Sequence, residues 1–264
     1  MTRLTLVVIS FIAISLIFTG MSSVRVDRKS IVGVWLFDEG KGEVATDSSE
    51  NGNSGELRNG TKWVSGKFGK AIELDGVDDY VDAPDSPSLS VGGGSITIQF
   101  WTKLNGPSRD EWVRKNPTND WQPCYDVETP DGGTKIRWLY GTGSEIDFQS
   151  VNSLDLEVWQ HVAVTYDAST DEARIYLDGK LDNSTISAVA TFDTDEKLQI
   201  GRHYRESDGA TGGYVDGLID EVGIFNVALT EADIQAIMND GLSSMLAVSP
   251  KDKLTTTWAD LKQQ

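Results

Sequence analysis

Residues 159–180 read WQHVAVTYDASTDEARIYLDGK, and this stretch decides the fold class. Its first half places side chains that favour strands at every second position, which is the period of a strand with one buried face: Val162, Val164 and Tyr166. The dipeptide Asp178-Gly179 then separates two further strand-like runs, as in a two-residue hairpin turn. The stretch therefore predicts antiparallel strands that bury one face.

The same signals recur along the chain. Asp-Gly dipeptides, which favour turns between strands, begin at Asp75, Asp131, Asp178, Asp208, Asp216 and Asp240. Apolar residues with a period of two lie at 96–101, and another strand is predicted over 218–225. Residues 105–133, rich in Pro, Asn, Asp and Trp, are interpreted as an inserted loop. These patterns predict an all-β antiparallel sandwich of two sheets. One short C-terminal helix is expected, beginning after Thr230 and ending near Gly241.

Composition excludes several classes of function. The chain has 264 residues, enough for one large domain or two small ones, and its formal net charge is −18. A nucleic-acid partner would require a basic surface, and an anionic lipid surface would repel this charge. An acidic surface is compatible with divalent cations but does not establish a site for them. The single cysteine, Cys124, excludes an internal disulfide. The sequence leaves the oligomeric state open.

The N-terminus has the anatomy of an export signal. Arg3 precedes an apolar run over residues 4–18, and small residues at Gly20 and Ser22 favour cleavage. Residues 1–22 are therefore predicted to be a signal peptide of a secreted or extracytoplasmic protein. The alternative is an uncleaved anchor, although the apolar run is shorter than the ~20 residues that span a bilayer. A linker over 23–30, a domain over 31–242 and a C-terminal tail over 243–264 complete the predicted organisation; the tail has no assigned role.

The order in which the sequence motifs occur along the chain is similar to that of a known domain family. The chain presents GVWLFD at 33–38, AIELDGVDDYV at 71–81, WQHVAVTYD at 159–167 and GLIDEVGIFN at 217–226. This order resembles the laminin-G-like jelly-roll domains of the concanavalin A-like lectin/glucanase superfamily. The resemblance covers about residues 31–242 and implies a jelly-roll sandwich. It leaves open sugar binding, protein binding, adhesion and a role as an accessory module beside an enzyme.

The resemblance also implies one structural calcium ion at the sandwich edge. The matching positions are Asp38, Asn53 and Asp220, which offer the hard oxygen ligands that Ca²⁺ takes. By strand parity Asp220 shares a face with Val222 and Ile224, where an unpaired carboxylate is costly. The alternative is that Asp220 caps a backbone amide and Asp38 begins a turn. A second acidic segment, at 75–80, fits turn capping better than ion binding.

No catalytic residues are predicted. Residues 145–149 read EIDFQ, one carboxylate short of the Glu-x-Asp-x-Glu strand of a laminarinase-like glycosidase family with this overall fold. The amide of Gln149 cannot donate a proton as a carboxylic acid does, so the general-acid step would be missing. A glycosidase would need a second carboxylate close to Glu145 and Asp147. His161 is expected to have a packing or hydrogen-bonding role.

Aromatic residues in or beside the predicted loop are the candidate ligand-binding groups. Exposed rings there would stack on sugars or anchor a protein partner: Trp112, Trp121, Tyr125 and Trp138. The alternative is that these rings hold the loop down. The sequence thus predicts a non-catalytic module that binds carbohydrate or an extracellular protein. The alternatives are a glycoside hydrolase or lyase, and a purely structural adhesion module.

Overall fold

The computed structural model describes residues 26–115, 125–141, 145–190, 196–205 and 209–246. The predicted signal peptide, Trp121, Cys124 and most of the C-terminal tail lie outside these ranges. In chain order the strands are β1 Ile31–Trp35, β2 Val44–Ala45, β3 Gly55–Arg58, β4 Lys62–Ser65, β5 Lys70–Asp75, β6 Tyr80–Ala83, β7 Ile96–Leu104, β8 Ser108–Lys115, β9 Tyr125–Gly133, β10 Arg137–Tyr140, β11 Ile146–Gln149, β12 Gln160–Asp167, β13 Glu172–Leu177, β14 Lys180–Ile186, β15 Leu198–Ile200, β16 His203–Arg205, β17 Ala210–Gly212 and β18 Asp216–Phe225. Two short 3-10 helices (Arg28–Ser30, Pro87–Leu89) and two α-helices (α1 Glu231–Asp240, α2 Ser243–Leu246) accompany them.

The strands form two antiparallel eight-stranded sheets. Sheet A has the order β14-β13-β12-β7-β18-β5-β4, with β1 paired to β18. Sheet B has the order β11-β10-β9-β8-β15-β6-β3-β2, and β16 and β17 form a separate hairpin. This is the predicted jelly-roll sandwich, and the fold prediction is confirmed. No helix among the described residues has the length and apolar character needed to cross a bilayer.

The core lies between the two sheets and is built by alternation. Phe100 of sheet A stacks on Trp112 of sheet B, with ring centroids 5.6 Å apart. Every second residue of β12 joins this core, whereas Ala163 belongs to a second cluster on the outer face of sheet A, under α1. Met245 of α2 packs into that second cluster, so the first residues of the predicted tail belong to the fold.

The hairpin predicted at Asp178-Gly179 and the helix predicted after Thr230 are both present in the structure. Leu177 of β13 pairs with Lys180 of β14, and the turn residues Asp178 and Gly179 between them both have positive φ, as a type I′ turn requires. Helix α1 begins with a capping box in which the Thr230 hydroxyl oxygen accepts from the Asp233 amide at 3.2 Å. Both predictions are confirmed.

The interpretation of residues 105–133 as a loop is wrong. Strands β8 and β9 occupy most of this segment and pair with each other in sheet B. Two register shifts in β8, between Ser108 and Asp110 and between Glu111 and Val113, disturb the period of two. The bulges and the many charged side chains conceal the strand pattern in the sequence.

Candidate functional site

Polar side chains form a row across sheet B, on the face opposite the core. The backbone register places five of them side by side on five adjacent strands: Asp126, Arg114, Gln199, Asp82 and Glu56. Adjacent strands lie ~4.8 Å apart, so the polar row extends over ~20 Å. The next row along the same strands, which includes Val113, Val127 and Val81, points into the core. The outward face of sheet B is therefore a polar platform on an apolar support.

At one end of the polar row the charges are concentrated into what we call the charged cluster. It comprises three arginines and four carboxylates: Arg109, Glu111, Arg114, Asp126, Glu128, Arg137 and Asp147. Carboxylate oxygens of Glu111, Asp126 and Glu128 lie within 4.8 Å of one another, and their side chains are at most 3% exposed.

Each arginine of the charged cluster binds two carboxylates. Arg109 Nη2 lies 3.1 Å from Glu111 Oε1 and 3.3 Å from Glu128 Oε2. Arg114 Nη1 donates to Asp126 and lies 3.4 Å from Glu111 Oε2. Arg137 donates to Glu128 at 2.8 Å and, through two nitrogens, to both Asp147 oxygens at 2.7 Å. The arginines hold the carboxylates in a fixed array.

The carboxyl groups of the charged cluster have pKa values that are shifted in opposite directions by their different partners. Burial and the Glu111 charge raise the pKa of Glu128 to about 7, and they also raise the pKa of Asp126 well above its ordinary value. Burial opposes ionisation of Glu111 too, but the His203 hydrogen bond and the Arg114 charge outweigh it and lower the pKa of Glu111. Glu111 therefore carries the negative charge most firmly.

The raised pKa of Glu128 predicts a pH-dependent stability. Folding takes up a proton between the ordinary pKa of 4.5 and about 7, so the unfolding free energy falls as pH rises through this window. We expect Glu128→Gln, which cannot titrate, to make this decline shallower by up to ~1.4 kcal/mol per pH unit. Urea unfolding of both proteins between pH 5 and 8 measures the difference, and parallel profiles would contradict the assignment.

Some polar atoms at the charged cluster lack partners. Among the described residues, Arg114 Nε and Nη2 and Asp126 Oδ1 are buried without a hydrogen bond. A buried donor or acceptor left unpaired costs ~1–3 kcal/mol, so such atoms are unusual in a folded protein. They belong to the two partners of one ion pair, in the middle of the charged cluster.

The β16–β17 hairpin covers the other side of the platform. His203 Nδ1 lies 3.5 Å from Glu111 Oε1, and the Tyr204 amide donates to Gln199 Oε1 at 3.0 Å. Arg202 donates to Asp82 at 3.1 Å, and its guanidinium lies 3.4 Å from the Tyr80 ring centroid. The platform is thus closed near Gln199 and open near Arg109 and Arg137, whose side chains are 43% and 30% exposed.

The aromatic residues predicted to bind a ligand occupy a different place. Trp112, Tyr125 and Trp138 are at most 1% exposed and belong to the core between the sheets. A ring with both faces packed cannot stack on a sugar, so the predicted stacking role of these three is corrected. Along β8–β10 these three aromatic residues alternate with the charged residues. That alternation is the sequence signal that could have identified the outward face of sheet B. Trp121 lies outside the described residues.

The predicted metal ligands separate into two places. Asp220 Oδ2 accepts from the Lys67 and Phe68 amides at 2.9 and 3.0 Å, and Asp38 Oδ1 accepts from the Lys70 amide at 2.8 Å. Both carboxylates thus hold the 66–70 loop. Asn53 instead donates to the Val32 carbonyl oxygen at 2.9 Å, toward the other end of β1. The amide-capping alternative for Asp220 is confirmed, and calcium stays a prediction.

The prediction from strand parity placed the Asp220 side chain on the wrong face of β18. A bulge between Asp220 and Gly223, with Glu221 at φ 52°, shifts the alternation of β18. Asp220 therefore pairs with Trp101 on the outer side of sheet A, whereas Ile219 and Val222 reach the core. Burial under the 66–70 loop raises the pKa of Asp220 to about 8.

The remaining predicted residues have structural roles. Asp75 Oδ1 accepts from the Val77 amide at 2.9 Å, which confirms turn capping in the 75–80 segment. His161 is buried against Trp101 and lies 3.2 Å from Gln99 Oε1, and burial lowers its pKa to about 3. Asp147 lies on β11 and is bound by Arg137, which also bridges it to Glu128. Gln149 is exposed on the same strand.

A family model of the laminin-G type, described as the concanavalin A-like lectin/glucanase superfamily, matches residues 75–235. The chain belongs to this superfamily. The superfamily model spans β6 to the start of α1, and so includes every residue of the charged cluster. No curated protein matches the chain significantly.

Solved structures of low sequence identity share the superfamily fold. The binding domain of Paraclostridial Mosquitocidal Protein 1 is 18% identical with a TM-score of 0.62, and the match covers 80% of this chain and 52% of that one. Domain 4 of AbnA, an extracellular arabinanase from Geobacillus stearothermophilus solved with arabinotriose, is 18% identical with a TM-score of 0.58, over 79% of this chain and 98% of that domain. Trypanosoma rangeli sialidase is 14% identical with a TM-score of 0.59, over 83% of this chain and 34% of the sialidase. The chain thus spans about half of the first structure and a third of the sialidase.

Proposed function

We propose that this domain is a non-catalytic recognition module that binds carbohydrate on the outward face of sheet B. The observation that carries the proposal is the fixed array of guanidinium and carboxylate groups in the charged cluster, open at Arg109 and Arg137. Such planar groups form paired hydrogen bonds with neighbouring oxygens, as adjacent sugar hydroxyls require. The AbnA domain, solved with arabinotriose, and the receptor-binding domain of a botulinum neurotoxin support a binding role for this fold.

Binding is favoured over catalysis because the carboxylates are engaged. Glu111, Asp126 and Glu128 lie close enough for an acid and nucleophile pair, and the pKa of Glu128 near 7 would suit a general acid. All three are buried and bound by arginines, which withdraws them from a scissile bond. Hydrolysis of glycans that is lost in Glu128→Gln would establish the enzyme alternative.

A glycan array, probed with and without chelator, tests the proposal. We expect a restricted set of glycans to bind, because a fixed array of donors and acceptors selects hydroxyl geometry. Binding to no glycan in either condition would contradict the proposal, and an extracellular protein partner or a structural role would then take its place.

We further propose that calcium stabilises the sandwich edge at Asp38 and Asp220. Support comes from Asp220 Oδ1, a buried oxygen with no hydrogen-bond partner among the described residues, next to the loop that Asp38 also holds. Asn53 does not fit this site, because its side chain binds Val32 and Ser88.

Chelation provides the test for calcium. A ligand at ~100 times its Kd stabilises the native state by about 2.7 kcal/mol, so removing the ion should lower the melting temperature by several degrees. Asp220→Asn should melt at the same temperature with and without chelator. An unchanged melting curve of the wild-type protein after chelation would remove the calcium proposal.

A further inference from the structure

We infer that a second site, for a single uncharged sugar unit, lies at the end of the sandwich where β18 ends and β7 begins. The site is a cavity of about 370 Å³ between the 86–95 loop and the residue that follows β18. All of its lining residues are uncharged, and they include Pro87, Val91, Gly94, Ser95 and Asn226. None of them belongs to the charged cluster, so this inference goes beyond the proposed function and does not rest on it.

The lack of charge distinguishes this cavity from two others of about 370 Å³. One of those is lined by Arg28, Lys29 and Glu50, and the other by Asp27, Lys29 and Asp233, among other residues. An ionic group that enters a cavity without a counter-ion loses its hydration and gains no charge partner in return. The uncharged cavity therefore suits a neutral ligand.

Two side chains of the cavity offer hydrogen bonds to such a ligand. Asn226 is exposed, and its side-chain amide has no hydrogen-bond partner within the described part of the chain. The Ser95 hydroxyl oxygen accepts from the Ala168 amide at 3.0 Å, which leaves the hydroxyl hydrogen available to donate. Amide and hydroxyl groups donate and accept, as sugar hydroxyls do. Pro87 and Val91 add apolar surface for the carbon-bound hydrogens of a sugar ring.

The loop that forms the cavity is held in place by the core. The Tyr140 hydroxyl lies 2.9 Å from the Val91 carbonyl oxygen and 2.7 Å from that of Gly94, and the Gly94 amide donates to Val91 at 3.0 Å. Leu89, in the same loop, is fully buried. A ligand that binds a fixed loop pays little to order it. Ligand cavities usually measure ~300–1,000 Å³, so this one fits a single sugar unit.

Titration of neutral methyl glycosides tests the inference. Methyl glycosides of glucose, galactose, mannose, xylose and arabinose are added at millimolar concentration to the isotope-labelled protein, and amide chemical shifts are recorded. We expect at least one glycoside to shift the amides of residues 88–95 and 226 in a saturable manner. No shift at these amides with any of the five would overturn the inference, whereas the proposed function is decided separately by the glycan array.

A cavity-filling variant locates the bound sugar. The Cβ of Gly94→Leu would meet only the Val91 carbonyl oxygen, at 3.4 Å, so the new side chain has room to occupy the cavity. We expect the dissociation constant of the glycoside to rise at least ~10-fold with the melting temperature preserved. The matched control is Gly106→Leu, at the other end of β7, where an added Cβ meets nothing within 4 Å. Equal affinities of the two variants would overturn the inference.

Two further variants keep the test decisive if Gly94→Leu fails to fold. Asn226→Ala removes an exposed side chain without a partner, so we expect a folded protein with weaker glycoside binding. Arg137→Gln, in the charged cluster, should leave the glycoside affinity unchanged. Affinity that falls in Arg137→Gln but not in Asn226→Ala would place the glycoside on sheet B, which would support the proposed function and contradict the second site.

Discussion

Replacing Arg114 by methionine is expected to lower the unfolding free energy by about 3–5 kcal/mol at pH 7, because it leaves Asp126 buried without its arginine and Glu111 with Arg109 as its remaining arginine. The side chain of Arg114 is only 3% exposed, so water cannot compensate for the loss. The cost should shrink at pH 5, where the orphaned carboxylates take up protons more easily. Urea unfolding at the two pH values measures both effects.

Two further variants separate this effect from a loss of packing. Arg174→Met removes a partly exposed ion pair with Glu172 and should cost at most ~1 kcal/mol. Adding Glu111→Gln and Asp126→Asn to Arg114→Met should recover part of the stability, since uncharged amides then replace the two carboxyl groups that Arg114 bound. An Arg114→Met protein as stable as Arg174→Met would contradict the role of Arg114 in holding the charged cluster.

Trp138→Ala is expected to cost about 3–5 kcal/mol of unfolding free energy, because the indole is fully buried and stacks on Tyr140 at 5.5 Å. Typical domains have only ~5–15 kcal/mol of net stability, so this variant should lie near the limit of folding. Urea unfolding followed by circular dichroism gives the measurement.

The matched control is Trp63→Ala. Trp63 lies on the edge strand β4, is partly buried, and donates its indole hydrogen to the Gly42 carbonyl at 2.9 Å. Trp63→Ala should therefore lower the unfolding free energy by clearly less than Trp138→Ala. A Trp138→Ala protein of wild-type stability that no longer binds glycan would restore the stacking role and contradict the placement of the ring in the core.

The elements that could be predicted from the sequence depend on short-range signals. The β13–β14 hairpin follows from alternation and an Asp-Gly turn, and α1 follows from a capping box within four residues. In both cases the interacting residues are neighbours in the chain. Burial of Asp220 could also be anticipated, although the bulge at Glu221 reverses the face on which it lies.

The charged cluster could not be assembled from the sequence. Asp126 and Arg114 meet only because β8 and β9 are paired, and Gln199 joins them from a strand far along the chain. The bulges in β8 hide its period, and the charged residues of β8 and β9 give the segment the composition of a loop. The motif at residues 145–149 includes Asp147. The second carboxylate near Asp147 is Glu128 on β9, and Arg137 donates hydrogen bonds to both.

Titration of the tightest-binding array glycan into the wild-type protein and Arg137→Gln tests the location of the site most directly. Arg137 bridges Glu128 and Asp147 at the open rim, so its loss should raise the Kd at least ~10-fold while the melting temperature shows the protein folded. Arg174→Gln, on the other sheet, should bind with the wild-type Kd. An unchanged Kd for Arg137→Gln would contradict a binding site on the outward face of sheet B.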